Sequence, residues 1–159
     1  MKINEGIKAV GIYKFEAYNA KTLERIPKLD RTYRNILVQG FFTTVFEFLN
    51  QAISAPNVAD LNLSHFATGT GTTTPMKSDT ALETEYFRKA ISVKSFGSTS
   101  FVCKTILGPT ESNITIREIG IFANGSMTPG SGTLISHCST NFEKISNIQY
   151  IVTYTLTLE

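Results

Sequence analysis

The sequence is short of cysteine, histidine and net charge, and it has no long apolar run. Each shortage removes a class of protein. Cys103 and Cys138 stand alone, with no CxxC and no histidine pair nearby. That excludes a dense disulfide framework and a zinc site of ordinary spacing. They read as small apolar residues inside strands; a bond between them stays open, although a reducing compartment disfavours it. The 15 basic and 13 acidic residues leave a net charge of +2 with no Lys/Arg run, too balanced for a nucleic-acid footprint. No segment reaches the ~18 apolar residues of a membrane-spanning helix. Glu5, Lys8, Lys14 and Glu16 interrupt the N-terminal stretch, which therefore does not form a signal-peptide core. The chain is expected to be made and folded in a cytoplasm, and the glycosylation sequons at Asn62 and Asn113 carry no weight there.

What remains is a domain-sized chain of 159 residues, 42% hydrophobic and only 18% charged, with Thr, Ser and Asn filling the polar share. That balance suits β-sheet faces better than solvated helices. The final stretch carries the clearest pattern. Ile148, Tyr150, Val152, Tyr154, Leu156 and Leu158 alternate with Gln149, Ile151, Thr153, Thr155 and Thr157, the period of a strand with one buried face and one threonine-rich face. Phe42, Val45, Phe46, Leu49 and Ile53 instead recur at helical spacing, which predicts one amphipathic helix over about residues 39–54, closed by Pro56. The expected fold is mainly β: an antiparallel β-sandwich-like single domain spanning 1–159. Residues 1–38 form N-terminal strands, and 58–159 form a sandwich core of seven or more strands with the rest.

Candidate chemistry is sparse. The stretch "ATGTGTTTP" has two glycines, Gly69 and Gly71, but Thr72 to Pro75 follow where a phosphate loop needs Gly-Lys-Ser/Thr. Thr74 occupies the place of a dinucleotide fingerprint's third glycine. Gly69, Gly71 and Pro75 therefore read as a structural turn. His65 and His137 have no carboxylate beside them in sequence, and Cys138 next to His137 would point to the opposite face of a strand. No catalytic, cofactor-binding or metal-binding residues are assigned, no cofactor is expected, and an enzymatic role is not expected. Glu118 lies within the apolar run "ITIREIGIF", and a buried carboxylate needs a partner. Arg88, three residues after Glu85, is the natural one, which predicts a structural ion-pair cluster of Glu85, Arg88 and Glu118.

Several short motifs stand in a recognisable order. They are Asn35-Ile36-Leu37 with Gly40; Gly69, Gly71, Pro75, Asp79, Thr80, Leu82, Glu85 and Arg88; Glu118-Ile119-Gly120-Ile121-Phe122; and Gly132-Thr133-Leu134, before the terminal strand. This order resembles tail-fibre and baseplate-attachment domains of tailed-bacteriophage virion proteins, from about Asn35 onward. The resemblance implies a non-enzymatic structural component of the virion, made in the bacterial host cytoplasm. Such a subunit attaches a fibre or builds tail, neck or baseplate. Because the chain ends at Glu159 without a receptor-binding tip, an adaptor or collar subunit is expected. A capsid-surface decoration protein is the alternative, and a carbohydrate-binding adhesion module a further one. The expected partners are other virion proteins and further copies of the chain, in a trimer or ring; nucleic acid, membrane and host glycan are not expected. Candidate contacts are the face carrying Gln149, Thr153, Thr155 and Thr157, the loop 124–132 and the N-terminal strands.

Overall fold

The computed structural model describes residues 8–49 and 62–159. Among them the chain forms ten strands and one α-helix. In order these are β1 (Ala9–Asn19), β2 (Arg31–Arg34), β3 (Ile36–Leu37), α1 (Gln39–Leu49), β4 (Leu63–Gly69), β5 (Glu85–Ala90), β6 (Val93–Phe96), β7 (Ser100–Leu107), β8 (Thr115–Ala123), β9 (Thr133–Glu143) and β10 (Ile148–Leu158). Two antiparallel sheets of five strands face each other, sheet A in the order β2-β1-β10-β7-β6 and sheet B in the order β3-β9-β8-β4-β5. The chain is thus a mainly β, sandwich-like single unit. No helix among the described residues is long and apolar enough to cross a membrane.

The alternation in β10 does what its period requires. Ile148, Tyr150, Val152 and Tyr154 are buried and meet Tyr13, Phe15, Phe66 and Phe142 in one aromatic-rich core. Rings there meet edge to face, as Phe15 does with Phe142 at 5.0 Å between centroids, the arrangement their quadrupoles favour. Tyr13 buries its hydroxyl against Ser136 of the facing sheet. The strands of the first 38 residues belong to this sandwich rather than preceding it, since β1 pairs with β10 along its whole length. Both margins of the sandwich are closed by chain that passes from one sheet to the other. β2 continues through Asn35 into β3, and β5 through Ile91 and Ser92 into β6. Such crossings shorten the free strand edges that invite unwanted pairing.

The helix differs from the predicted stripe. Phe42 and Phe46 are 40% and 65% exposed, while Phe41, Thr44 and Val45 face an apolar cleft of about 180 Å³ whose far wall includes Leu63, Phe101 and Leu156. Apolar residues at 41, 42, 45 and 46 make an arc wider than one packing face, so spacing alone does not choose its inward edge. The junction after β3 chooses it: Val38 is fully buried and Gly40 lies so close to the Leu134 carbonyl that a side chain would collide with it. The Leu49 side chain, Ile53 and Pro56 lie outside the described residues. Cys103 and Cys138 are free and buried; burial pushes both thiols up to about 12.

Candidate functional site

Sheet B is covered on its outer face by residues 70–84, a strap that leaves the end of β4 and returns into β5. Its base is closed by the Thr70 amide donating to Thr84 O at 3.0 Å. Two residues of β8 decide how it lies. Gly120 leaves a gap that Leu82 and Leu134 fill, since an added Cβ would sit 3.0 and 2.9 Å from their methyl groups. Glu118, two residues earlier, projects from the same face because side chains alternate along a strand, and it is 2% exposed.

The Glu118 carboxylate is held by the strap's backbone. Oε1 accepts the amides of Gly71 at 3.0 Å and Thr84 at 2.7 Å, and Oε2 accepts the amide of Glu83 at 2.9 Å. His137 of β9 adds its Nε2, 3.2 Å from Oε2, and turns Nδ1 to Asp79 Oδ2 at 2.7 Å. Burial alone would raise the Glu118 pKa, but the bonds from His137, Thr84, Glu83 and Gly71 outweigh it and hold it below the ordinary value. Next door, Glu83 Oε2 accepts the amides of Thr72 and Thr73 at 2.6 and 2.8 Å. The glycine stretch is therefore a carboxylate cradle, and its anions are the protein's own. Gly69 and Gly71 serve through space, not through a left-handed φ. A Cβ on Gly71 would stand 2.6 Å from both Glu118 Oε1 and Glu83 Cβ. Gly71→Ala is expected to lower stability by about 1–3 kcal/mol as an overpacked site, read as a lowered denaturant midpoint; an unchanged midpoint would remove the close approach as the reason for glycine.

Arg88 builds a second, separate cluster. Its Nε and Nη2 donate to the two Glu85 oxygens at 2.6 and 2.7 Å, a bidentate pair. Nη1 donates to the Ser131 carbonyl at 2.6 Å and the Ser131 hydroxyl at 3.1 Å. The guanidinium lies 4.0 Å above the Phe122 ring, and Gly130 N–H reaches Glu85 Oε2 at 3.1 Å. Loop 124–132 is thereby tied to β5. Residues three apart in a strand should face opposite ways; a β-bulge resolves this. Gly69 pairs with Glu85 and Thr68 with Phe87, so Tyr86 is the extra residue and Glu85 moves to the face of Arg88.

The expected three-residue cluster is accordingly corrected. Glu85 and Arg88 pair, but Glu118 is not their partner: it is enclosed by backbone amides and His137. His137 has no carboxylate beside it in sequence, yet the fold brings Asp79 and Glu118 to its two nitrogens. No local signal marks that triad, because its members lie on the strap, β8 and β9. Gln149, Thr153, Thr155 and Thr157 line the half-buried outer face of β10, at the centre of sheet A. Lys14 and Lys104 stand directly beside Thr153, and Ile12 and Val102 beside Thr155. Chemically, the outer face of sheet B is closed upon itself. Both ring nitrogens of His137 are engaged, and Glu118, Glu83 and Glu85 are each held by donors of the chain.

No family model, curated protein or solved structure matches this chain.

Proposed function

We propose that the chain is a non-enzymatic structural subunit of a bacteriophage particle, an adaptor or fibre-attachment component of tail, neck or baseplate that works through protein–protein interfaces. One observation carries the reading. The residues that make up the phage-like pattern fall into two clusters, Gly69, Gly71, Asp79, Leu82, Glu118 and Gly120 in one and Glu85 with Arg88 in the other, and these hold the strap and loop 124–132 to sheet B. Groups that would meet a substrate in an enzyme are here closed by the protein itself. The pattern thus describes a scaffold, and the scaffold's product is its surface.

The surface offered for contact is the outer face of sheet A. Threonines and aliphatic residues alternate there with Lys14 and Lys104, in the mixed polar and apolar composition of a protein interface. The partners are other virion proteins and further copies of the chain in a trimer or ring, whose closure limits growth. Light scattering on the purified chain and immunogold labelling of particles test the proposal. A closed oligomer that labels tails or baseplates supports it; a monomer that labels capsid shells makes the protein a decoration subunit; a monomer that labels no particle overturns both. Thr153→Glu with Thr155→Lys, the glutamate facing Lys14 and Lys104 with opposite charge, is expected to weaken assembly at least tenfold while changing stability by only ~0.5 kcal/mol. Unimpaired assembly of that variant would move the interface off this face.

A further inference from the structure

His137 meets acceptors at both ends. Asp79 Oδ2 faces its Nδ1 at 2.7 Å and Glu118 Oε2 faces its Nε2 at 3.2 Å. Ionised carboxylates only accept hydrogen bonds, and a neutral imidazole carries one N–H and one lone pair. The neutral ring can satisfy one of these partners and must aim its lone pair at the other. Only the imidazolium satisfies both. We propose that protonated His137 is a latch that holds the tip of the strap, residues 76–80, onto sheet B, and that loss of its proton releases the tip while the base of the strap stays fixed.

The two ends of the latch are unequal, and this decides what moves. The Glu118 side chain is 2% exposed and keeps the amides of Gly71, Glu83 and Thr84 whatever the ring does. The Asp79 side chain is 20% exposed, keeps only the Met76 amide at 2.8 Å among the described residues, and can turn to water. A neutral ring therefore leaves its proton on Nε2, toward the buried carboxylate, and frees Asp79. The tip also accepts the first amide of α1, Gln39 N–H to Lys77 O at 2.7 Å. Asp79 and Thr80 wall a cleft of about 240 Å³ with Gly40, Gly132, Thr133 and Leu134. Release of the tip would widen that cleft and uncover the start of α1, beside the turn that opens β9.

Among the described residues, the charged groups facing the ring are Asp79 from the strap and Glu118 from β8. From β3 it meets Ile36, its register partner. Glu83 acts at one remove, as a like charge beside Glu118. Burial disfavours the charged ring, but Glu118 and Asp79 outweigh it and raise its pKa above 6.5. The latch is thus closed below that value and opens as pH rises through the raised one. His65 supplies an internal contrast: burial, then the charge of Arg88, lowers its pKa.

Side-chain nitrogen NMR of the full chain over a pH titration tests it. The expected result is a midpoint above 6.5, an imidazolium at His137 below that midpoint, and the Nε2–H tautomer beyond it. The amides of residues 76–80 should shift with the same midpoint while those of Gly71 and Thr84 hold still. Asp79→Asn can still cap the Met76 amide and can donate to a neutral ring, so it should lower the midpoint by about one pH unit and abolish the step at the tip. A midpoint at or below 6.5, tip amides that ignore the titration, movement of Gly71 and Thr84 together with the tip, or an unchanged midpoint in Asp79→Asn would each overturn the latch.

Discussion

Replacing Arg88 with alanine is expected to cost about 3–5 kcal/mol of folding stability, seen as a fall in the urea midpoint with little change in slope. The size follows from what is left behind. The Arg88 and Glu85 side chains are 1% and 7% exposed, so removing the guanidinium strands a carboxylate that, among the described residues, keeps only the Gly130 amide. The carbonyl of Ser131 loses its donor at the same stroke, and Phe122 loses the cation above it. A native domain is stable by only ~5–15 kcal/mol, so such a loss brings the variant close to unfolding. Arg88→Lys should recover little, because one ammonium cannot span two carboxylate oxygens and a carbonyl across its other side. The double change of Arg88 and Glu85 to alanine should be milder than the sum of the single ones, since the stranded charge goes with its partner. A single Arg88→Ala variant within 1 kcal/mol of the wild type, about the cost of an ordinary substitution, would contradict this account of the loop.

Glu118→Leu is expected to have a loss of similar size, about 3–5 kcal/mol, by a different route. It leaves the amides of Gly71, Glu83 and Thr84 and the Nε2 of His137 facing an apolar side chain. Unsatisfied buried donors are costly one by one, and here they belong to a single strap. The strap should loosen as a unit, so hydrogen exchange at 71–84 should rise more than in the paired strands of sheet A. Glu118→Gln keeps an oxygen acceptor and the shape but lacks the charge, and should cost about 1–3 kcal/mol. It also removes a pH dependence. The Glu118 pKa is lowered below 4.5, so its stabilisation is complete above that value and fades as pH falls through the lowered one. The acid limb of the stability curve should be shallower in Glu118→Gln. A variant as steep as the wild type would assign acid sensitivity to other carboxylates.

Between these two clusters the chain shows which features local pattern can convey. The strand character of β10 follows from alternation alone, because a strand's two faces are fixed by its pleat. Its position between β1 and β7 does not, since any apolar strand face satisfies the same pattern. The helix over Gln39–Leu49 was readable as a helix, but not its orientation: the inward edge depends on how Val38 and Gly40 meet the Leu134 turn. The pairing of Glu85 with Arg88 was suggested by their types, yet their common face depends on a bulge at Tyr86 that no propensity announces. The role of His137 has no mark in the sequence, because both of its partners come from other elements.

Gly69 and Gly71 draw the line most clearly. Amino-acid types alone determined that Gly69 and Gly71 mark a turn, that Glu118 needed partners if buried, and that the chain would fold as sheets. Only the tertiary structure decided that these requirements answer one another. The physical reason is that Glu118 is satisfied chiefly by backbone amides. Every residue except proline carries an amide N–H, so nothing in the identity of Gly71, Glu83 or Thr84 marks them as donors to a carboxylate on another strand. The fold supplies that information by placing the strap over β8.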